Sequence, residues 1–122
     1  MRRRGSPQQG AAGDRERGSG SVLVVAMLGA IVAVAASALA VIGAVAAHTR
    51  AAAAADLAAL AAADAVSGRV PGIPCELANV VARANGAALT SCTQSRADVT
   101  VATVVPYLGA SAGARARAGP PP

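Results

Sequence analysis

From Gly18 to Ala47 the chain carries no charged side chain, and from Val22 to Ala47 it is almost wholly Val, Ala, Leu, Ile, Met and Gly. As a helix, about 26 residues at ~1.5 Å each reach roughly 39 Å, more than the ~30 Å hydrocarbon core of a bilayer. The run has neither the polar stripe of a surface helix nor a proline. In lipid its backbone groups must be satisfied within the segment, so a helix is the form it takes. The remainder of a 122-residue chain is too short to surround it as a soluble core helix. The run therefore reads as a transmembrane helix over residues 22–47, and it leaves room for one small domain beside it.

The flanks set an expected topology. Arg2, Arg3, Arg4, Arg15 and Arg17 precede the run, whereas only Arg50 and Arg69 follow it closely. Basic residues mark the cytoplasmic side. Residues 1–21, rich in Arg, Gly, Ser and Gln, read as a disordered basic cytoplasmic tail, and everything after Ala47 as extracytoplasmic. A net charge of +5 raises nucleic acid as a partner. The arginines are scattered, however, with no basic stripe or aromatic platform, so they read as topology signals and no nucleic acid is expected. A cleaved signal peptide is the competing reading. Ala38-Leu39-Ala40 and Ala44-Val45-Ala46 match the small-residue cleavage pattern, although the apolar run exceeds the usual length of such a leader.

Within the run, small residues recur every fourth position, including Gly29, Ala33 and Ser37, and then Gly43 and Ala47. That spacing lets two helices approach closely in a membrane, which makes these five residues candidates for helix packing. Beyond His48-Thr49-Arg50, residues 51–66 are mostly Ala, the strongest helix former. The helix is therefore expected to continue to about Ser67 as an extracytoplasmic extension (residues 48–67), ended by Ser67-Gly68. His48 has no second His or Cys close by in sequence and reads as an interfacial polar residue rather than a metal ligand.

The order of these features carries a resemblance. Arg15-Glu16-Arg17-Gly18-Ser19-Gly20-Ser21, then the apolar run, then Arg50 and Ala54-Ala55-Asp56-Leu57-Ala58-Ala59-Leu60-Ala61 resemble the TadE/TadG-like family of Flp-type (tight-adherence) pilus assembly. They are most similar to its short actinobacterial members encoded near helicase and secretion genes. The matching positions are Arg17, Gly18, Ser19, Arg50, Ala55, Asp56, Leu57 and Leu60, and the likeness spans about half of the chain. It implies a membrane-anchored, minor-pilin-like or assembly protein with no catalytic residue, whose partners are the membrane and other pilin-like subunits. Prepilins carry Glu at the fifth position after a cleavage glycine. Here Leu23 follows Gly18 and Val25 follows Gly20 at that position, so the resemblance does not extend to prepilin-type processing.

Residues 68–108 are expected to form a small helix-plus-hairpin domain. Pro74 suits the first position of a helix. Leu77, Val80, Val81 and Ala84 fall on one face, and Asn85-Gly86 makes an end cap. Leu89 to Gln94 and Asp98 to Val105 read as two strands joined near Ser95-Arg96-Ala97 and closed by Pro106. Residues 109–122 read as a disordered tail. The two cysteines, Cys75 and Cys92, both fall on the extracytoplasmic side and read as a disulfide, a staple that a domain of this size needs. With no phosphate loop, nucleophile–base pair or metal-ligand cluster in the sequence, no enzymatic activity, cofactor, metal or small-molecule substrate is expected. The expected architecture is membrane-anchored α+β: one long N-terminal helix, then a small helix and a β-hairpin stapled by a disulfide. The expected function is that of a structural, pilin-like component in the cytoplasmic membrane. The alternative is a small secreted binding or effector protein released by signal peptidase.

Overall fold

The structure, a computed structural model, describes Gly5 and residues 13–120, with side chains in the first helix from Gly18 onward. Its elements run α1 (Gly13–Val66), α2 (Pro74–Ala84), β1 (Ala88–Ser95), β2 (Asp98–Tyr107) and β3 (Ala110–Ala118). The class is α+β. The chain divides into two units, Met1–Leu39 and Ala40–Pro122.

In the first unit the described structure is helix. It begins at Gly13 rather than near Val22, which corrects the expectation of disorder for residues 13–21. Arg and Glu, which make up residues 15–17, are good helix formers. Arg2, Arg3 and Arg4 lie outside the described residues. From Val22 to Val34 the large apolar side chains are 57–70% exposed. This helix is long and apolar enough to cross a membrane.

The second unit folds the rest of α1, together with α2, against a three-stranded antiparallel sheet of order β1-β2-β3. Alternation along β2 puts Val99, Val101, Thr103 and Val105 on the inner face, all of them buried. They meet a seam of α1 made only of alanine: Ala47, Ala51, Ala54, Ala55, Ala58, Ala59 and Ala62, each nearly or fully inaccessible. The alanines recur at intervals of three and four, the spacing of one helix face. Both helices end in the same way. Gly68 and Gly86 take positive φ, and their amides and those of the following residues bond back to Ala65 and Asp64, and to Arg83 and Ala82. These are the paired bonds of a glycine-closed helix terminus.

Three expectations are corrected here. The second helix buries Ala78 and Ala82 rather than the expected face of Leu77, Val80, Val81 and Ala84. Val80 and Ala84 are exposed, while Val81 packs at the margin of the core. Ala78 and Ala82 share one cluster with Ala55, Ala58, Ala59 and Ala62 of α1 and with Val99 and Val101, so small residues of the two helices meet there. Strand β2 does not stop at Val105. It continues through Pro106, which pairs with Ser111. Proline is tolerated there because β1 pairs with β2 only as far as Val104, so the missing N–H faces no neighbouring strand. Finally, residues 110–118 are not a disordered tail. Ala112, Ala114, Ala116 and Ala118 turn toward the core while Gly113, Arg115 and Arg117 face outward, and they make the third strand. Arg117 also pairs with Asp98. The expected hairpin is thus a three-stranded sheet.

The β2–β3 connection is the two-residue turn Leu108-Gly109, with φ of 45° and 77°. Positive φ at both positions defines the type I′ turn, where Asn-Gly or Asp-Gly is usual. Leucine in this conformation costs roughly 1–2 kcal/mol.

Two outcomes follow from this packing. Ala58→Leu adds three carbons where the helix meets the sheet, and should destabilise the second unit by about 1–3 kcal/mol. Leu57→Ala, one residue earlier but 46% exposed, should change stability far less. Chemical denaturation of the detergent-solubilised chain, followed by circular dichroism, compares the two.

A candidate functional site at the helix–sheet junction

The Cys75–Cys92 disulfide is formed, with Cα atoms 5.8 Å apart and the two cysteines 17 positions apart in sequence. Its geometry depends on an irregularity in β1. The pairing shifts between Leu89, opposite Thr103, and Ser91, opposite Ala102, so Thr90 is an extra residue. The Thr90 hydroxyl donates to the Ala102 carbonyl at 3.2 Å. Leu89 and Cys92 are three apart, and in a regular strand they would face opposite sides. The bulge resets the alternation, so both pack against the core and Cys92 faces Cys75 at the start of α2. The bond closes the loop containing the rest of α2 and the first half of β1.

Two side chains of β2 reach the backbone of α1. The Thr103 hydroxyl donates to the Ala51 carbonyl at 2.7 Å, a fully buried bond. The Tyr107 hydroxyl donates to the Ala40 carbonyl at 2.9 Å. Tyr107 lies directly on Gly43: a Cβ built at Gly43 would be 2.0 Å from its hydroxyl oxygen. Glycine is required at residue 43 because the ring occupies the place of a side chain. Beside this contact a small recess is lined by Ala44, Tyr107, Ala110, Ser111 and Ala112.

The candidate residues therefore separate into two groups. Gly29, Ala33 and Ser37 remain exposed in the first unit, with the Ser37 hydroxyl bonded to the Ala33 carbonyl at 2.8 Å. Gly43 and Ala47 were expected to pack against another helix, and this is corrected: Tyr107 covers Gly43, and Ala47 is buried beside Val105 and Ala87. The positions that resemble the family motif also divide. Ala55 is buried in the alanine seam, while Gly18, Ser19, Arg50, Asp56, Leu57 and Leu60 are exposed. Arg17 belongs to the first turns of α1, and its side chain lies outside the described residues. Asp64, farther along the same helix, pairs with Arg69 at 2.9 Å in an exposed ion pair. Tyr107, Thr103 and the Thr90 bulge are the functional contacts that sequence reasoning missed. The lone tyrosine in a chain without Trp or Phe was the available signal.

His48, Thr90, Thr103 and Arg115 contribute to an open groove beside the sheet. Among the described residues no group of three or more His, Cys, Asp or Glu side chains is placed to hold a metal ion, and no buried side-chain polar atom lacks a hydrogen-bond partner.

Cys75→Ser should cost the second unit about 3 kcal/mol on the chain-entropy relation for a loop of this length. Limited proteolysis should then cut between Pro71 and Ala118 while residues 22–66 stay protected. Tyr107→Phe should destabilise by about 1 kcal/mol, the net worth of one hydrogen bond, and Gly43→Ala by more, because its Cβ overlaps the ring as well as the hydroxyl. The double variant should cost little more than Gly43→Ala alone, because displacing the ring already breaks the bond to Ala40; denaturation of the three variants measures this. No family model, curated protein or solved structure matches the chain.

Proposed function

We propose that the chain is a membrane-anchored structural subunit of the TadE/TadG-like kind, serving a Flp-type pilus or a related secretion apparatus. One observation carries the reading. A single helix, Gly13–Val66, carries an uncharged run from Gly18 whose large side chains are exposed, and a later part whose alanine face is buried by a disulfide-bonded sheet. Thirteen-odd residues of exposed Val, Leu, Ile and Met in water would each forgo about 1.5–3 kcal/mol of burial, and a bilayer supplies that burial. Gly29, Ala33 and Ser37 then offer a face for a neighbouring single-span subunit. The second unit, stapled by Cys75–Cys92, is presented outside the cytoplasm, as the arginine distribution directs.

The secreted alternative meets an obstacle in the second unit. Cleavage after Ala40 or Ala46 would separate or remove the helix segment that carries the Ala40 carbonyl and the Gly43 seat, and Tyr107 would lose its partners. The intact chain should remain with the membranes after alkaline carbonate washing, and a photo-crosslinker in place of Ala33 should capture a second single-span protein. Recovery of a shortened soluble species beginning near Val41 or Ala47 overturns the anchored reading and establishes the secreted one.

A further inference from the structure

The tip of the β2–β3 hairpin is apolar and lies beside the end of the uncharged helical run. Pro106, Leu108, Gly109 and Ala110 are exposed, and Leu108 is 77% accessible. From Thr100 to Ala114 the chain has no charged residue. Within the second unit, Tyr107 bonds to Ala40 and covers Gly43, and the tip borders Ala44. These helix residues belong to the stretch that sequence assigns to the membrane. At ~1.5 Å per residue, Gly18 to Leu39 already measures about 33 Å, enough for the ~30 Å hydrocarbon core. Ala40 to Ala47 then falls at the outer boundary of the bilayer, and so does whatever packs against it.

Resting on the membrane-anchored reading above, we infer that the hairpin tip is a second membrane contact: Leu108 enters the headgroup–acyl boundary of the outer leaflet, with Tyr107 at the interface. Three features on different levels agree. Tyrosine favours this boundary, where its ring is shielded and its hydroxyl is bonded. The turn places an exposed leucine where a water-facing type I′ turn takes Asn or Asp, so the residue is chosen against the turn's own preference. The cations on the neighbouring elements, Arg115 on β3 and Arg50 on α1, are set back from the tip; Arg115 is five residues from Ala110, about 17 Å along the strand, which keeps charge out of the acyl region. The occupant is lipid rather than a second protein because the tip carries no charged residue from Thr100 to Ala114 and, within the second unit, rests on Ala40, Gly43 and Ala44 of the uncharged run.

The absence of Trp from the chain gives a direct test. Leu108→Trp, Ala110→Trp, Val32→Trp and Gln94→Trp are made singly in the full chain and reconstituted in phosphatidylcholine–phosphatidylglycerol vesicles containing lipids brominated near either end of the acyl chain. Trp at residue 108 or 110 should emit at shorter wavelength than Trp at residue 94, and should lose most intensity with bromine near the headgroup. Trp at residue 32 should lose most with bromine near the chain terminus, and Trp at residue 94 should be unaffected. Quenching at residue 32 with none at 108 and 110 overturns the hairpin contact and leaves the anchor standing. A blue-shifted but unquenched Trp at 108 and 110 overturns it in favour of a protein neighbour. Equal quenching at residue 94 overturns it in favour of a domain lying flat on the lipid. No quenching at residue 32 removes the anchor, and the inference with it.

Discussion

The second unit depends on the meeting of an alanine seam with the inner face of one strand. A helix face lined only with alanine puts no long side chain between its backbone and the sheet. Val99 and Val101 then fill the space, and Thr103 reaches the Ala51 carbonyl at 2.7 Å. Larger residues on the helix would push β2 away and break that bond. The cost of such a core is its small apolar volume: the largest fully buried side chains are two valines and a threonine. Burial at about 25 cal/mol per Å² of apolar surface gives little from residues of this size. The disulfide compensates by restricting the unfolded chain.

The staple and the seam are joined through the bulge at Thr90. Cys92 faces the core only because the extra residue reverses the alternation after Leu89. One strand irregularity therefore sets two things, the position of the disulfide and the place of Leu89 at the core margin. Further along β2 the same inner face supplies Thr103 and then Tyr107, and each ends its reach on a helix carbonyl. Side chain to backbone bonds of this kind fix how far the strand is displaced along the helix, which apolar contact between alanine and valine alone would leave weakly specified.

The features legible in sequence were those with strong local chemistry. The uncharged run, Pro74 at the opening of α2, Asn85-Gly86 at its close, the start of a strand at Asp98 and the cysteine pair all occur as read. What escaped notice was written in alanine. Residues 110–118 alternate Ala with Ser, Gly and Arg, yet alanine has little strand preference, and the pattern resembles a low-complexity tail. Its inward face makes sense only once Val99, Val101 and Val105 are known to need a neighbour. The seam on α1 was hidden for the same reason, because in an Ala-rich segment no face stands out by composition. The turn at Leu108-Gly109 was missed since leucine is not a turn residue. Gly43 and Ala47 were recognised as close-approach positions, but the approaching element is the chain's own β2 and not another helix.

That last exchange shows how one residue class serves two ends along one helix. Close approach needs only the absence of a side chain, and it does not specify what approaches. At Gly29, Ala33 and Ser37 the small surface is left open. At Gly43 and Ala47 an aromatic ring and a valine from β2 have taken it. The difference lies not in the helix but in the reach of the sheet, which ends at Tyr107 and the Leu108-Gly109 turn. Moving that turn by two residues would change which glycine or alanine is covered and which remains exposed. The length of the β2–β3 hairpin therefore fixes where the self-contained unit stops and the exposed apolar helix begins.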